Sequence, residues 1–246
     1  MYYRKIFSVL AALVFVAAAS LTATSYARGA EGKSKNVSGK VRVVTPMNLA
    51  ILIQDDLVSR VGNELGVTRE FIRALPAGSQ VMVGYITAGT LQVRQPFTGD
   101  LDKAARALRI PIASTSASAY NPYVEVIEAL RRFESQKGHN GLLLISDGLD
   151  ISRGFDSTSA GHTLDLDRAI REANKRNVAV YSFYAPSVGL TSRSRLAASY
   201  GQSSLNRLSE ETGGVAFFQG MNSFVTFDSY FDRLRRTLND QYGRAS

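Results

Sequence analysis

Apolar segments with the composition of buried β-strands alternate with helical patterns along this chain, and this alternation constrains the fold more than any other feature. Three such segments are residues 49–54 (LAILIQ), 141–145 (GLLLI) and 178–184 (VAVYSFY). Strands that are apolar on both faces belong to parallel sheets that helices cover on both sides. The sequence therefore predicts an α/β fold with a doubly wound, mostly parallel central sheet and helices on both faces.

The segments between these strands complete the prediction. Residues 80–87 and 91–97 form a predicted hairpin, which adds one antiparallel strand at the edge of the sheet. Asn121 and Pro122 are typical of a helix N-terminus. The buried face of the helix that follows is predicted to consist of Val124, Ile127, Leu130 and Phe133. Further helices are predicted at 57–75, 101–108, 165–176, 203–212 and 224–242, and a last strand at 215–219.

The first 27 residues have the form of an export signal. A basic start (MYYRK) precedes an apolar run of about sixteen residues, which is short for a membrane span of roughly 20. We expect cleavage after Ala27, a flexible leader at 28–47 and one α/β domain at 48–243. Cleavage gives an exported protein, periplasmic or extracellular, without stable membrane insertion. The alternative is an uncleaved membrane anchor.

Composition excludes several kinds of chemistry. The chain has no cysteine and only two histidines, His139 and His162, which excludes thiol catalysis, thiolate metal sites and a zinc site built from histidines. Removing residues 1–27 takes away Arg4 and Lys5 and no acidic residue, so the net charge falls from +8 to +6. The basic residues are scattered among acidic ones and form no stripe, so we expect no nucleic-acid partner.

Two of the predicted strands end in acidic residues. Asp55 and Asp56 follow the first strand, and Asp147 follows the strand at 141–145. Ligands of open doubly wound sheets bind at the carboxyl ends of the strands, so we expect these carboxylates at one rim. The segment 114–121 (STSASAYN) adds hydroxyl and amide oxygens. Such ligands suit Mg²⁺ or another divalent cation; the alternative is that the acids cap helices or form turns.

The order of elements and these residues together resemble a von Willebrand factor type A (VWA) domain, of the divergent kind found in exported bacterial proteins. That family has a metal-ion-dependent adhesion site with three loops: Asp-x-Ser-x-Ser, a loop with a threonine, and an aspartate after a strand. The first loop here reads DDLVS, in which Asp55 and Ser59 match and Leu57 does not. The third loop, ISDG, matches at Asp147. The resemblance covers residues 48–242.

The resemblance implies a degenerate metal site. The helix NPYVEVIEAL places Asn121 where the family has threonine, and Ser118 is the nearest hydroxyl before it. The implied ligands are Asp55, Ser59, Ser118, Asn121 and Asp147. Because Leu57 stands where the family has a serine, one of about six oxygens around Mg²⁺ is missing. The protein could therefore bind its partner with the ion or without it.

The resemblance also implies a non-catalytic function in binding a protein partner. The contact face would be the rim, with Asp56 and two loops at 148–163 and 185–201. Arginine and aromatic side chains on loops often anchor protein contacts; those on these loops are Arg153, Phe155, Arg193, Arg195 and Tyr200. The alternative class is an α/β hydrolase. The chain lacks a Gly-x-Ser-x-Gly elbow, however, and His139 precedes its strand and so lies at the opposite end from Ser146.

Overall fold

One six-stranded sheet organises the part of the chain that this computed structural model describes, which is residues 41–133, 138–154, 163–220 and 226–243. The strands are β1 (Met47–Gln54), β2 (Gln80–Thr87), β3 (Thr90–Thr98), β4 (His139–Ser146), β5 (Val178–Tyr184) and β6 (Ala216–Phe217). Their order is β3-β2-β1-β4-β5-β6. Neighbouring strands are parallel except β2 and β3, which form the antiparallel hairpin at the edge. The predicted fold class is confirmed.

Helices cover both faces of the sheet. On one face lie α1 (Leu65–Arg73), α2 (Leu101–Arg106) and α6 (Phe227–Tyr242). On the other lie α3 (Pro122–Leu130), α4 (Leu164–Lys175) and α5 (Arg195–Glu211). Short 3-10 helices occur at Ser59–Glu64 and Thr115–Ala117. Among the described residues, no helix combines the length and the apolar character that crossing a membrane requires.

Alternation along β1 assigns each side chain to one of the two cores. Leu49, Ile51 and Ile53 pack into the core beneath α1 and α6, whereas Ala50 and Leu52 pack into the core beneath α3. Successive strand residues point to opposite faces. Residues 54 and 56 therefore belong with the second series, whereas 55 and 57 belong with the first. This alternation decides which polar side chains reach the ligand rim.

Several predicted boundaries were wrong. The predicted helix 57–75 is a 3-10 helix followed by α1, and the second rim loop ends before residue 201, because α5 begins at Arg195 with Ser194 as its N-cap. Asn121 and Pro122 begin α3 as predicted. The predicted buried face of α3 was wrong at Val124, which is 47% exposed. The helix turns Tyr123, Val126 and Ala129 toward the core, together with Leu130 as predicted.

The folded domain starts before the predicted boundary at residue 48. Met47 is the first residue of β1, and Val43 is buried. The N–H of Val44 donates to Oδ1 of Asn239 on α6 at 3.1 Å, and Nδ2 of Asn239 donates to the carbonyl oxygen of Arg42 at 2.8 Å. The predicted signal peptide and residues 28–40 of the predicted leader lie outside the described residues.

Candidate functional site

A pocket of about 230 Å³ opens at the carboxyl ends of β1 and β4. It lies between the end of β1, the 115–120 segment, the turn after β4 and the loop after β5. Its polar side chains include Gln54, Asp56, Ser118, Asp147 and Ser187. Because ligands of doubly wound sheets bind at this rim, the pocket is the candidate functional site.

Gln54 connects the two acidic groups of the pocket. Its Nε2 donates to Oδ1 of Asp56 at 2.7 Å. Its Oε1 accepts from Oγ of Ser146 at 2.6 Å and from the N–H of Asp147 at 3.2 Å. The sequence prediction missed Gln54. The available signal was its position, since it is the one polar residue of the predicted strand 49–54 and comes just before the acids.

Asp56 and Asp147 are two buried carboxyl groups in the same pocket, 3% and 4% exposed. Burial, followed by repulsion from Asp147, raises the pKa of Asp56 to about 6, and hydrogen bonds from Gln54 and Ser118 offset only part of that rise. Burial also raises the pKa of Asp147, whose Oδ2 accepts from Oγ1 of Thr191 at 3.0 Å. All these hydrogen-bond donors are neutral, so the pocket holds negative charge that they do not neutralise.

Asp55 belongs to a different cluster, in which Arg109 neutralises it. The two terminal guanidinium nitrogens of Arg109 lie 2.6 Å from Oδ1 and Oδ2 of Asp55. Oγ1 of Thr87 and the N–H of Ile112 also donate to this carboxylate, at 2.7 and 3.0 Å. Burial alone would raise the pKa of Asp55, but these hydrogen bonds outweigh it and hold the pKa below its usual value. Both oxygens of the residue predicted to begin the metal site are thus engaged by other groups.

Leu57 and Ser59 also lie outside the pocket lining. Leu57 is fully buried in the core beneath α1 and α6, and it forms an isolated antiparallel bridge with Ser187. Ser59 is exposed at the start of its 3-10 helix. When the first motif is shifted back by one residue, the first two of its three alternate positions become Gln54 and Asp56, and both of these line the pocket. The apolar residue at 57 is therefore a core residue rather than a missing ligand.

Ser118 and Asn121 have separate roles. Ser118 lines the pocket, whereas Asn121 caps α3: its Oδ1 accepts from the N–H of Tyr123 at 3.1 Å, and its Nδ2 donates to Oδ2 of Asp165 at 2.9 Å. The structure thus brings two of the five predicted ligands, Ser118 and Asp147, together in the pocket. The three that do not line it are Asp55, Ser59 and Asn121.

Two glycines pack the turn after β4 closely against α5. A Cβ atom on Gly201 would overlap the carbonyl oxygen of Asp147, and one on Gly148 would lie 2.5 Å from the carbonyl oxygen of Gly201. Gly148 also has a φ of 69°, in the left-handed region that favours glycine. The hydroxyl of Tyr123 donates to the carbonyl oxygen of Gly148 at 2.6 Å. These contacts fix the loop that carries Asp147.

The residues predicted to contact a partner are spread around this rim. Arg153 and Arg193 are exposed in loops, Arg195 is exposed at the start of α5, and Tyr200 is half-buried within α5. Asp56 is the one predicted contact residue that lines the pocket, and Phe155 lies outside the described residues. The prediction missed Tyr120 and Leu190, which both line the pocket.

The donors in the pocket fit a divalent cation in kind. Asp56, Asp147 and Ser118 supply two carboxylates and one hydroxyl, and hard cations prefer such oxygen ligands. Within the described ranges, no cluster of three or more histidine, cysteine or acidic side chains is placed to hold a metal. Hydroxyl groups and water would therefore have to complete the shell of any ion.

The strand order and the position of the pocket define a VWA-type fold in a divergent form. BatB from Bacteroides thetaiotaomicron is similar, with a TM-score of 0.55 and 14% identity over 81% of this chain and 100% of that chain. An aerotolerance-related membrane protein from Bacteroides fragilis NCTC 9343 is also similar, with a TM-score of 0.51 and 16% identity over 79% of this chain and 99% of that chain. The VWA domain of SpRpn10 has a TM-score of 0.46 and 12% identity over 80% of this chain and 95% of that chain. No protein-family model and no curated protein matches the chain.

Proposed function

We propose that this protein is an exported VWA-type module that binds a protein partner at the rim pocket and is not catalytic. The observation that carries the proposal is the pair of buried carboxyl groups, Asp56 and Asp147, in a pocket that opens at the ligand rim of the fold. Burying charge without a neutralising partner destabilises a protein. Groups with pKa values perturbed in this way are frequent at functional sites.

The surface around the pocket also supports contact with a protein. Tyr120 is 52% exposed and lines the pocket, and Arg153 and Arg193 are exposed on the neighbouring loops. Tyrosine and arginine are enriched among residues that dominate binding energy in protein interfaces. A partner that covers the pocket would therefore meet anchors of the right type around it.

A divalent cation is one means of neutralising the pocket. Asp56, Ser118 and Asp147 would hold it, and it would supply positive charge to a carboxylate of the partner. Gln54 and Thr191, which donate to the two acids, would orient them. Binding without an ion is the alternative, and the engagement of Asp55 by Arg109 favours it, because the first predicted ligand is then already neutralised.

Two contacts support a non-catalytic role over hydrolysis. Oγ of Ser146 donates to the amide oxygen of Gln54, which is not a base that could activate a nucleophile. His139 stacks on Tyr242 at the amino end of β4, at the opposite end of the strand from Ser146.

Site-specific photocrosslinking in the producing cell tests the proposal. p-Benzoylphenylalanine at position 120 is expected to crosslink a partner protein. The matched control places the same residue at exposed Lys175, at the C-terminus of α4 and the opposite end of the sheet. Equal crosslinking from both positions, or crosslinking from 175 alone, would contradict a binding site at the rim.

A further inference from the structure

The pocket is lined by both acidic and apolar side chains. Asp56 and Asp147 lie within it, and the side chains of Tyr120, Leu149, Ile151 and Leu190 also line it. The lining contains no lysine, arginine or histidine among the described residues. A ligand that fits this surface carries positive charge at its tip and apolar surface behind it.

The same rim already shows how this protein neutralises a buried aspartate. Arg109 reaches Asp55 with two parallel hydrogen bonds, while its guanidinium carbon lies 4.1 Å from the centre of the Tyr85 ring. Bidentate pairing with a carboxylate and stacking on an aromatic face are the two interactions that arginine makes best. Asp56 is the next residue in the chain, and the donors to it are neutral.

We propose that the protein partner inserts an arginine or lysine side chain into this pocket, between Asp56 and Asp147, where it supplies the positive charge that a metal ion supplies in adhesion sites. This inference rests on the proposed function, because it names the chemistry by which the partner binds. The partner segment is expected to carry apolar residues beside the basic one, facing Tyr120 and Leu190.

The arrangement of donors suits an organic cation better than a hydrated ion. Gln54 donates to Oδ1 of Asp56, and Thr191 and the N–H of Leu149 donate to Oδ2 and Oδ1 of Asp147. Because a carboxylate has about four lone-pair sites, both acids can still accept further hydrogen bonds, in an orientation that these donors fix. The apolar walls formed by Leu149, Ile151 and Leu190 can pack against the methylene stem of a long basic side chain. A hydrated Mg²⁺ would make no use of them.

Peptide titration with the ¹⁵N-labelled protein tests the inference. The probes are acetyl-Leu-Arg-Leu-amide, the same peptide with the neutral isostere citrulline, and one with glutamate in the presence of Mg²⁺. The arginine peptide is expected to shift the amide signals of Gln54, Asp56, Tyr120 and Asp147 in a saturable way. Citrulline should weaken binding by about tenfold or more, because the charge-assisted hydrogen bonds are lost.

Variants separate the role of the pocket from general effects of charge. Asp147→Asn and Asp56→Asn should each weaken the arginine peptide by about tenfold, and their dispersed spectra will verify folding. Asp240→Asn removes an exposed acid on α6 and should leave binding unchanged. Equal affinity for the arginine and citrulline peptides, no shifts at millimolar peptide, or binding of the glutamate peptide that requires Mg²⁺ would each overturn the inference.

The outcomes also distinguish this inference from the proposed function. If crosslinks from position 120 persist at the same level in the Asp56→Asn, Asp147→Asn double variant, the rim binds a partner but not through a basic side chain. If the arginine peptide binds and position 120 yields no crosslink, the pocket binds a basic side chain, but the proposed binding of a protein partner at the rim is wrong.

Discussion

Arg109 and Asp55 form a bidentate ion pair with N–O distances of 2.6 Å, and it connects the segment after α2 to the end of β1. The N–H of Ile112 donates to the carboxylate of Asp55, and the N–H of Ala113 donates to its carbonyl oxygen at 2.9 Å. The hydroxyl of Tyr85 accepts from the N–H of Arg109 at 2.8 Å and donates to its carbonyl oxygen at 2.6 Å. Asp55 is thus a structural residue that holds one rim loop in place.

Replacing Arg109 should therefore destabilise the fold. Arg109→Ala leaves the carboxylate of Asp55, which is fully buried, without its counter-charge, and removing one partner of a buried pair costs about 3 kcal/mol or more. Urea denaturation measures the loss. The matched control is Arg73→Ala, whose ion pair with Asp102 is exposed and should contribute less than about 1 kcal/mol. Equal effects of the two variants would show that the Asp55 pair is not a buried one.

The sequence predicted the layers of the fold but not the register of its site. The predicted class followed from strands whose apolar character is continuous, such as GLLLI, and this pattern survives small errors of position. The prediction of the site, in contrast, failed through a shift of a single residue along the chain. Asp55 and Asp56 are adjacent and chemically identical, and only the alternation that continues from β1 turns the first toward Arg109 and the second into the pocket. Matching to Asp-x-Ser-x-Ser favoured Asp55 because Ser59 also matched.

Other differences have equally local causes. Val124 was assigned to the buried face of α3 by a stripe spaced every three residues, but Asn121 fixes the start of the helix and turns Tyr123 inward. The early start of α5 was missed because Ser194 is an N-cap within a polar segment that has no apolar periodicity. Arg109 carried no sequence signal, since its role depends on a contact with a residue 54 positions away.

Restoring the adhesion motif at position 57 is expected to fail. Leu57→Ser would remove a fully buried side chain from the core and place a hydroxyl there, at a cost of about 3 kcal/mol or more. It should not create a response to Mg²⁺ in thermal unfolding. Val58→Ser, at a half-buried neighbouring position, is the control and should cost less. A gain of Mg²⁺-dependent stability in Leu57→Ser would show that residue 57 faces the ligand rim.

The close contact between α5 and the turn after β4 leads to a further prediction. Gly201→Ala should lower the free energy of unfolding by about 1 to 3 kcal/mol, because its Cβ would overlap the carbonyl oxygen of Asp147. Gly66 lies in α1 with open space around its Cβ position, so Gly66→Ala should stabilise the protein by about 0.5 to 1 kcal/mol. Chemical denaturation compares the two. Stabilisation by both variants would show that Gly201 does not pack closely against the turn that carries Asp147.

Glu125 should make the stability of the fold depend on pH. It is 3% exposed, and within the described structure its Oε2 has no hydrogen-bond partner. Burial raises its pKa to about 7, with smaller contributions from Glu128 and Asp165. The folded state then holds the proton more tightly than the unfolded chain, so the free energy of unfolding should fall as the pH rises from about 4.5 to about 7.

Glu125→Gln should remove this part of the pH dependence and raise the free energy of unfolding at pH 8 by about 1 to 3 kcal/mol. Denaturation at a series of pH values measures both effects. Glu128→Gln is the control, because Glu128 is exposed on the same helix and pairs with Arg132. An unchanged pH profile in Glu125→Gln would mean that the group titrates normally.

Two adjacent aspartates have opposite roles: Asp55 stabilises the fold through Arg109, and Asp56 is held in an acidic pocket where its charge is unfavourable. The most direct test is the free energy of unfolding of Asp55→Asn and Asp56→Asn at pH 8. Asp55→Asn should lower it by about 2 kcal/mol, because charge-assisted hydrogen bonds are lost, and Asp56→Asn should raise it by about 1 kcal/mol, because burial and repulsion of a charge are relieved. A loss of stability in Asp56→Asn as large as that in Asp55→Asn would show that the Asp56 carboxylate also stabilises the fold.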